Sequence, residues 1–325
     1  MKKYFCLLLL VAMCMSFVAC NDVNTEDITE SENSTALDLS GDLREHEVFT
    51  YEINPDGKTC TITGFTAYIF LSSPTYFQIN VVIPDDIYGY TVTEIAASAF
   101  DFHGQIESVQ FSDNITKIGD YAFAGCSFEK LKLPAELTEI GKSAFAACLN
   151  LKEVEFGNKL TTIDAYAFME CSSLLNLNLP DSVTHVDMGA FCDCISLETV
   201  KLSNGIKAIY PLTFSGCEKL TSIVIPDSVV SIQRAAFKNC KSLKDVELSN
   251  MITWIGEYAF AGCDIESLTT HHRLNSISEY AFYECNNLKN VRVRGSENWG
   301  DLAEILGNPE TAAEFLVNLT ESIHR

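Results

Sequence analysis

Eight cysteines stand in register along the chain, Cys126, Cys148, Cys171, Cys194, Cys217, Cys240, Cys263 and Cys285, spaced by 22 or 23 residues. Thiols in that number invite a metal centre or redox chemistry. The spacing argues against both. If the period is one coil of a stack, neighbouring Cβ atoms fall near the ~4.8 Å strand repeat, whereas a disulfide needs about 3.5–4.5 Å. A straight row also cannot surround a tetrahedral ion. The expected state is a buried thiol ladder, acting as small hydrophobes and weak donors to the turn backbone. No cofactor or metal is expected.

Cys60 and Cys192 lie outside the row, and Cys192, next to Cys194, is a candidate reactive thiol or intermolecular bridge. The histidines, His46, His103, His185, His271, His272 and His324, are framed by no metal-binding or nucleophile motif. A catalytic set would have to come from the irregular patch around Asp187, Cys192 and Tyr210, and no constellation there identifies a reaction. The reading is non-enzymatic.

The elements that position these groups follow from a second periodic residue. Phe100, Phe123, Phe145, Phe168, Phe191, Phe214, Phe237, Phe260 and Phe282 keep the same period, and from Phe123 on each precedes a cysteine by three. Before each Ala-Phe pair runs an alternating apolar segment such as Leu197, Val200 and Leu202, which predicts one half-buried strand per repeat. Pro134, Pro180 and Pro226 follow strands, where a missing N–H ends a ladder. A single coil cannot bury its apolar faces, but nine stacked in register can. The fold class expected is an α/β-type repeat solenoid with a parallel strand in each coil.

Both ends need covers. Strand-like segments near 47–53, 60–70 and 76–83 predict an amino-terminal β cap, so that cap and opening repeat span 48–90 and the solenoid spans 91–294. Leu302, Ile305, Leu306, Phe315, Leu316, Leu319 and Ile323 have helical spacing, predicting a helical cap over 295–325.

Lys and Arg total 22 against 44 Asp and Glu, a net charge of −22. Nucleic acid is therefore excluded as a partner, since its binding rests on basic residues meeting phosphates. Residues 20–47 carry nine acidic residues and one Arg, with few large apolar groups, and are expected to be a solvated tether. Ahead of them Lys2 and Lys3 precede an apolar run that ends in Phe17-Val18-Ala19-Cys20. That ending resembles the lipobox of bacterial lipoproteins, with Phe17 in place of the usual Leu. The resemblance implies loss of 1–19, lipidation of Cys20 and a membrane contact through that anchor, in an exported protein of the cell envelope, displayed at an outer membrane surface.

The phrase Ile-Gly-x-x-Ala-Phe-x-x-Cys-x-x-Leu-x-x-Val-x-Leu-Pro-x-x-Leu-Thr, repeated from Thr91 to Val293, resembles the leucine-rich repeat of BspA-type bacterial surface proteins. Thr213 in place of Ala, and Tyr210-Pro211-Leu212 in place of a Gly-led turn, depart from it. The resemblance implies a right-handed leucine-rich-repeat superhelix and adhesion to host matrix proteins or other bacteria. The candidate binding residues are the outward positions of the strand wall: Lys130, Lys132, Glu153, Glu155, Asn176, Asn178 and Lys201. This row is polar, mixed in sign and without an aromatic stripe, which favours a protein ligand over a surface glycan. A glycan-capture module and a structural envelope spacer are the alternatives. Tyr121, Tyr166, Tyr258 and Tyr280 are expected to pack across the opposite flank. Asp181-Ser182-Val183 and Asp227-Ser228-Val229 resemble a bacterial O-glycosylation acceptor motif, although turn chemistry accounts for them equally well.

Overall fold

The computed structural model describes residues 37–38, 48–66, 79–270, 273–274, 276–278, 280–288 and 290–293. The leader 1–19, Cys20, nearly all of the segment 20–47 and the cap 295–325 lie outside the described residues, as do His46, His271, His272 and His324. The described chain is a parallel β-solenoid. Its front wall carries the strands Ile79–Val82, Ile106–Gln110, Lys130–Lys132, Glu153–Glu155, Asn176–Asn178, Thr199–Lys201, Ser222–Val224, Asp245–Glu247, Ser267–Thr270 and Asn290–Val293.

A second strand in each coil corrects the expectation of one. Lys117–Ile118, Glu139–Ile140, Thr162–Ile163, His185–Val186, Ala208–Ile209, Ser231–Ile232, Trp254–Ile255 and Ser276–Ile277 form a rear wall between each front strand and the Ala-Phe or Thr-Phe pair that follows it. Two residues are too few for alternation to be legible in sequence. The preceding threonine explains the recurrent Leu-Thr. Its hydroxyl donates to the threonine carbonyl one coil earlier, as from Thr138 to Thr116 and from Thr161 to Thr138, both 3.0 Å.

The third wall is built on the phenylalanines. In one coil the amides of Ser143, Phe145 and Ala147 donate to Ala165, Ala167 and Met169 of the next, at 3.0, 2.8 and 2.7 Å. Ser143 and Ala147, two positions either side of Phe145, have φ of 53° and 57°. That left-handed backbone curls the arc too tightly for a strand, and a non-glycine residue there costs about 1–2 kcal/mol. Gly125, Gly189, Gly216 and Gly262 occupy the same positions in other coils. Gly189 has a further reason: a Cβ on it would strike the Tyr166 ring. This is why the tyrosine row breaks there.

Inside, Phe100 to Phe282 form one column of fully buried rings. Successive centroids lie between 5.1 Å (Phe100–Phe123) and 5.7 Å (Phe191–Phe214). The column is closed at its start by the antiparallel pair Phe49–Ile53 and Thr59–Phe65, whose second strand runs parallel to Tyr90–Ile95. Phe65 meets Phe100 edge-on at 4.8 Å. Leu37–Asp38, within the segment expected to be a tether, pairs with Ile79–Asn80.

From Lys130 to Lys201 the front strands are grouped in twos, whereas from Ser222 to Val293 they run on as one four-stranded ladder. Front strands Lys130–Lys132 and Glu153–Glu155 pair, as do Asn176–Asn178 and Thr199–Lys201, but no ladder joins Glu155 to Asn176 or Lys201 to Ser222. Within a pair the amides of Leu133 and Leu179 reach the carbonyls of Glu155 and Lys201, at 2.9 and 3.0 Å. The turns nest as well. Asn204 donates twice to Asp181, while Ser203 Oγ donates to the Val183 carbonyl at 2.5 Å. A Cβ on Gly157 would sit 2.6 Å from the Pro134 carbonyl, so the second coil of the pair settles closely onto the proline turn of the first. A proline-led coil therefore alternates with a Gly- or Ser-led one, doubling the period.

Among the described residues the rear wall breaks once. Every other junction there carries bonds such as Asp187 N to Ile163 O and Gln233 N to Ile209 O, but Lys207 and Tyr210 make no equivalent bond to the preceding coil. Tyr210 stands where other coils have Gly or a smaller polar residue, and its ring packs edge-on against His185 at 5.1 Å.

Candidate binding surface

The thiol row is buried and committed to backbone. Cys126 Sγ donates to the Phe100 carbonyl and Cys171 Sγ to Phe145, each 3.3 Å away and 26 residues earlier. Cys148, Cys194, Cys217, Cys240, Cys263 and Cys285 make the same contact with Phe123, Phe168, Phe191, Phe214, Phe237 and Phe260. Burial pushes the Cys148 thiol up to about 12 and raises Cys171, Cys217 and Cys240 well above the usual range. Each cysteine therefore staples a coil to its predecessor through the phenylalanine carbonyl. Among the described residues no His, Cys, Asp and Glu side chains cluster as metal ligands would.

Cys192 is half-buried, with Sγ 3.5 Å from Asp193 Oδ2. Burial and then that carboxylate raise its pKa, which suppresses the thiolate a nucleophile needs. Cys60 is buried and free, its Sγ 3.5 Å from the Tyr90 carbonyl. Asp187 Oδ1 accepts from the Met188 amide at 2.6 Å, and Tyr210 is packed on His185. The irregular patch is thus occupied by its own contacts. Ser182 and Ser228 have hydroxyl oxygens that are buried and bonded to nothing, so neither is presented to a glycosyl donor in the folded chain.

The front wall carries the mixed charge. Lys130 pairs with Glu153 at 3.1 Å and Lys132 with Glu155 at 4.0 Å, all well exposed. Register places Asn176 beside Thr199 and Asn178 beside Lys201. Thr199 Oγ1 donates to Asn176 Oδ1 at 2.5 Å, which leaves the Asn176 amide nitrogen as its donor for another partner.

A shallow groove of about 710 Å³ opens where the ladder between Glu155 and Asn176 is missing. Lys130, Glu153, Glu155, Asn176 and Asn178 from the outward rows line it. Lys132 and Lys201 lie outside. Its floor comes from residues the sequence did not single out, Val154, Phe156 and Leu175, with Lys152 and Pro180 at the rim. Val154 is only half-buried, whereas the central residues of the strands on either side, Leu131 and Leu177, are fully buried. Phe156 rests edge-on against Phe168 of the ring column, 5.9 Å away. The legible signal was Leu175, an apolar residue where neighbouring coils have Lys152 and Glu198. Lys152 is paired with Glu129 at 3.0 Å.

A wall of this kind, repeated strand by strand with its thiols turned inward, has a family. The model of the BspA type leucine rich repeat region matches residues 93–221 and 207–300, in six copies. The chain belongs to that family. Among solved structures, a leucine-rich repeat protein from Bacteroides ovatus ATCC 8483 is 22% identical, with TM-score 0.62 over 76% of this chain and 75% of that one. The T. pallidum leucine rich repeat protein is 27% identical, with TM-score 0.48 over 66% of this chain and 86% of that one. No curated protein sequence matches the BspA-type chain. Membership accounts for the repeat; the groove lies where the front ladder is missing, beside Leu175, and the rear-wall break lies at Tyr210.

Proposed function

We propose that this BspA-type solenoid is a non-catalytic adhesion module of the bacterial cell envelope, held by a lipidated Cys20 and presenting its front wall to a protein of the host matrix or of another bacterium. The observation that carries the reading is the groove beside Glu153 and Asn176, an apolar floor rimmed by charges of both signs and by the amides of Asn176 and Asn178. Charged rims steer encounter and select partners, while a desolvated apolar centre supplies affinity. The thiols face inward and the patch at His185 and Tyr210 is packed on itself, so neither competes with this wall as a binding surface.

Solid-phase binding to a panel of immobilised matrix proteins and whole bacteria tests it. Reversing Lys130, Glu153 and Glu155 together is expected to weaken attachment about tenfold at physiological salt with the fold intact. Attachment indifferent to the reversal would overturn the assignment to this wall. For the anchor, Cys20→Ala is expected to release the protein from the membrane fraction and abolish labelling by radioactive palmitate.

A further inference from the structure

The coil that runs from Thr199–Lys201 through Ala208–Ile209 to Phe214 is joined to its neighbours unevenly. Towards the preceding coil its front strand is laddered to Asn176–Asn178, but no ladder joins its rear strand to His185–Val186. Towards the following coil the arrangement is reversed: Ala208–Ile209 pairs with Ser231–Ile232, and no ladder joins Thr199–Lys201 to Ser222–Val224. Of the three walls, the phenylalanine wall alone runs through both junctions. There the amides of Phe191 and Phe214 reach the carbonyls of Thr213 and Ala236 at 2.9 and 2.8 Å. On either side of the gap the rear strands each run as one continuous ladder.

Three further observations fall at the same place. Threonine hydroxyls cross the rear junctions before it, from Thr161 to Thr138 and from Thr184 to Thr161, but the next such position is Lys207, which has no hydroxyl to give. Ion pairs tie the coils on either side, as Lys130 to Glu153 and Arg234 to Glu257, yet among the described residues none of these pairs crosses either junction. Phe191 and Phe214 are the most widely spaced neighbours of the ring column, at 5.7 Å. The rear gap is spanned instead by a side-chain contact, the Tyr210 ring on His185. Ladder bonds are directional and resist tilting, so a junction that lacks them on one wall is the compliant one.

We infer that this coil is a hinge between two stiffer blocks of the rod, which bends about the phenylalanine wall by opening the rear wall on one side of the coil and the front wall on the other. Both openings lie away from the hinge wall, so both tilt the blocks towards it and their effects add. The bend widens the front gap beside Val224, which is 60% exposed, and a partner touching both blocks fixes the angle. Double electron–electron resonance on the full chain tests it, with nitroxides attached through a ketone-bearing amino acid so that the thiols stay unmodified. Two label pairs each span four coils including the hinge, about 19 Å at the strand repeat. Asn158 and Asn250 lie in the turns between front and rear walls, Lys142 and Arg234 on the phenylalanine wall, and all four are exposed. The Asn158–Asn250 distance distribution is expected to be about twice as broad as the Lys142–Arg234 one, because the first pair is remote from the hinge line and the second lies on it. Lys207→Thr, at an exposed position, returns the missing hydroxyl and is expected to narrow the first distribution. Adding Tyr210→Gly restores the Gly-led turn of other coils and is expected to bring it to the width of the second. Equal widths in the parent overturn the inference, and so does a first distribution that Lys207→Thr leaves unchanged.

Discussion

Replacing Phe168 by Ala tests whether the ring column holds the coils together. Phe168 is fully buried, stacked on Phe145 at 5.3 Å and Phe191 at 5.5 Å, with Phe156 against its edge at 5.9 Å. Truncating a buried phenylalanine costs about 3–5 kcal/mol through lost transfer energy and the cavity left behind. Stacked pairs add about 0.5–1.5 kcal/mol each beyond area, and two are lost at once. The hydrogen bonds on either side of the ring cannot relax to fill the space, because Phe168 N is tied to Ala190 O and Phe168 O to the Cys194 thiol. The expected loss is therefore at the upper end, about 5 kcal/mol, comparable with the whole stability of many domains. Phe168→Leu keeps most of the volume and is expected to cost about 1.5 kcal/mol. Urea unfolding of the two variants against the parent, followed by far-UV circular dichroism, measures both. A loss under about 2 kcal/mol for Ala, or equal losses for Ala and Leu, would refute the column as the principal source of cohesion between coils.

The turn serines separate in the same assay. Ser203→Ala removes a buried hydroxyl bonded to Val183 O and Gly205 N and is expected to cost about 1–2 kcal/mol, whereas Ser182→Ala deletes an unpartnered hydroxyl and is expected to be neutral or stabilising. The thiol ladder makes stability fall in alkali. The folded Cys148 is held up at about 12 against an ordinary 9.0, so its contribution is intact below pH 9 and is lost as pH rises from there towards 12. A denaturation midpoint flat from pH 8 to 11 in the parent but falling in Cys148→Ala would contradict this sign. Hydrogen exchange reads the rear-wall break: the Lys207 and Tyr210 amides, lacking coil-to-coil bonds, are expected to exchange faster than the bonded Thr184 and Gln233 amides.

The period of 22 or 23 residues was legible because each coil must place the same side chain at the same depth, and only Phe and Cys fit the column and its carbonyl staple. What escaped notice has physical causes. The rear strands are two residues long, below the length at which a period of two can be seen. The doubled period was written in the alternation of Pro134, Pro180 and Pro226 with Gly157, Ser203 and Ser249, but a proline after a strand signals only that a ladder ends. Which neighbouring turn settles onto it depends on where the next coil's backbone comes to rest, as the approach of Gly157 to the Pro134 carbonyl shows. The groove escaped for the same reason. Lys130, Glu153 and Glu155 of the outward row lie at its rim, because strand alternation sorts outward from inward residues. Its floor, though, is an inward-pattern valine, Val154, made half-accessible by hydrogen bonds that the next coil does not make. Residue pattern determines the side of a sheet on which a side chain lies. Whether water or a partner can reach it from between two strands is decided by the spacing of the coils, a property of neighbours 23 residues apart, and that spacing is where two coils of nearly identical sequence acquire different surfaces.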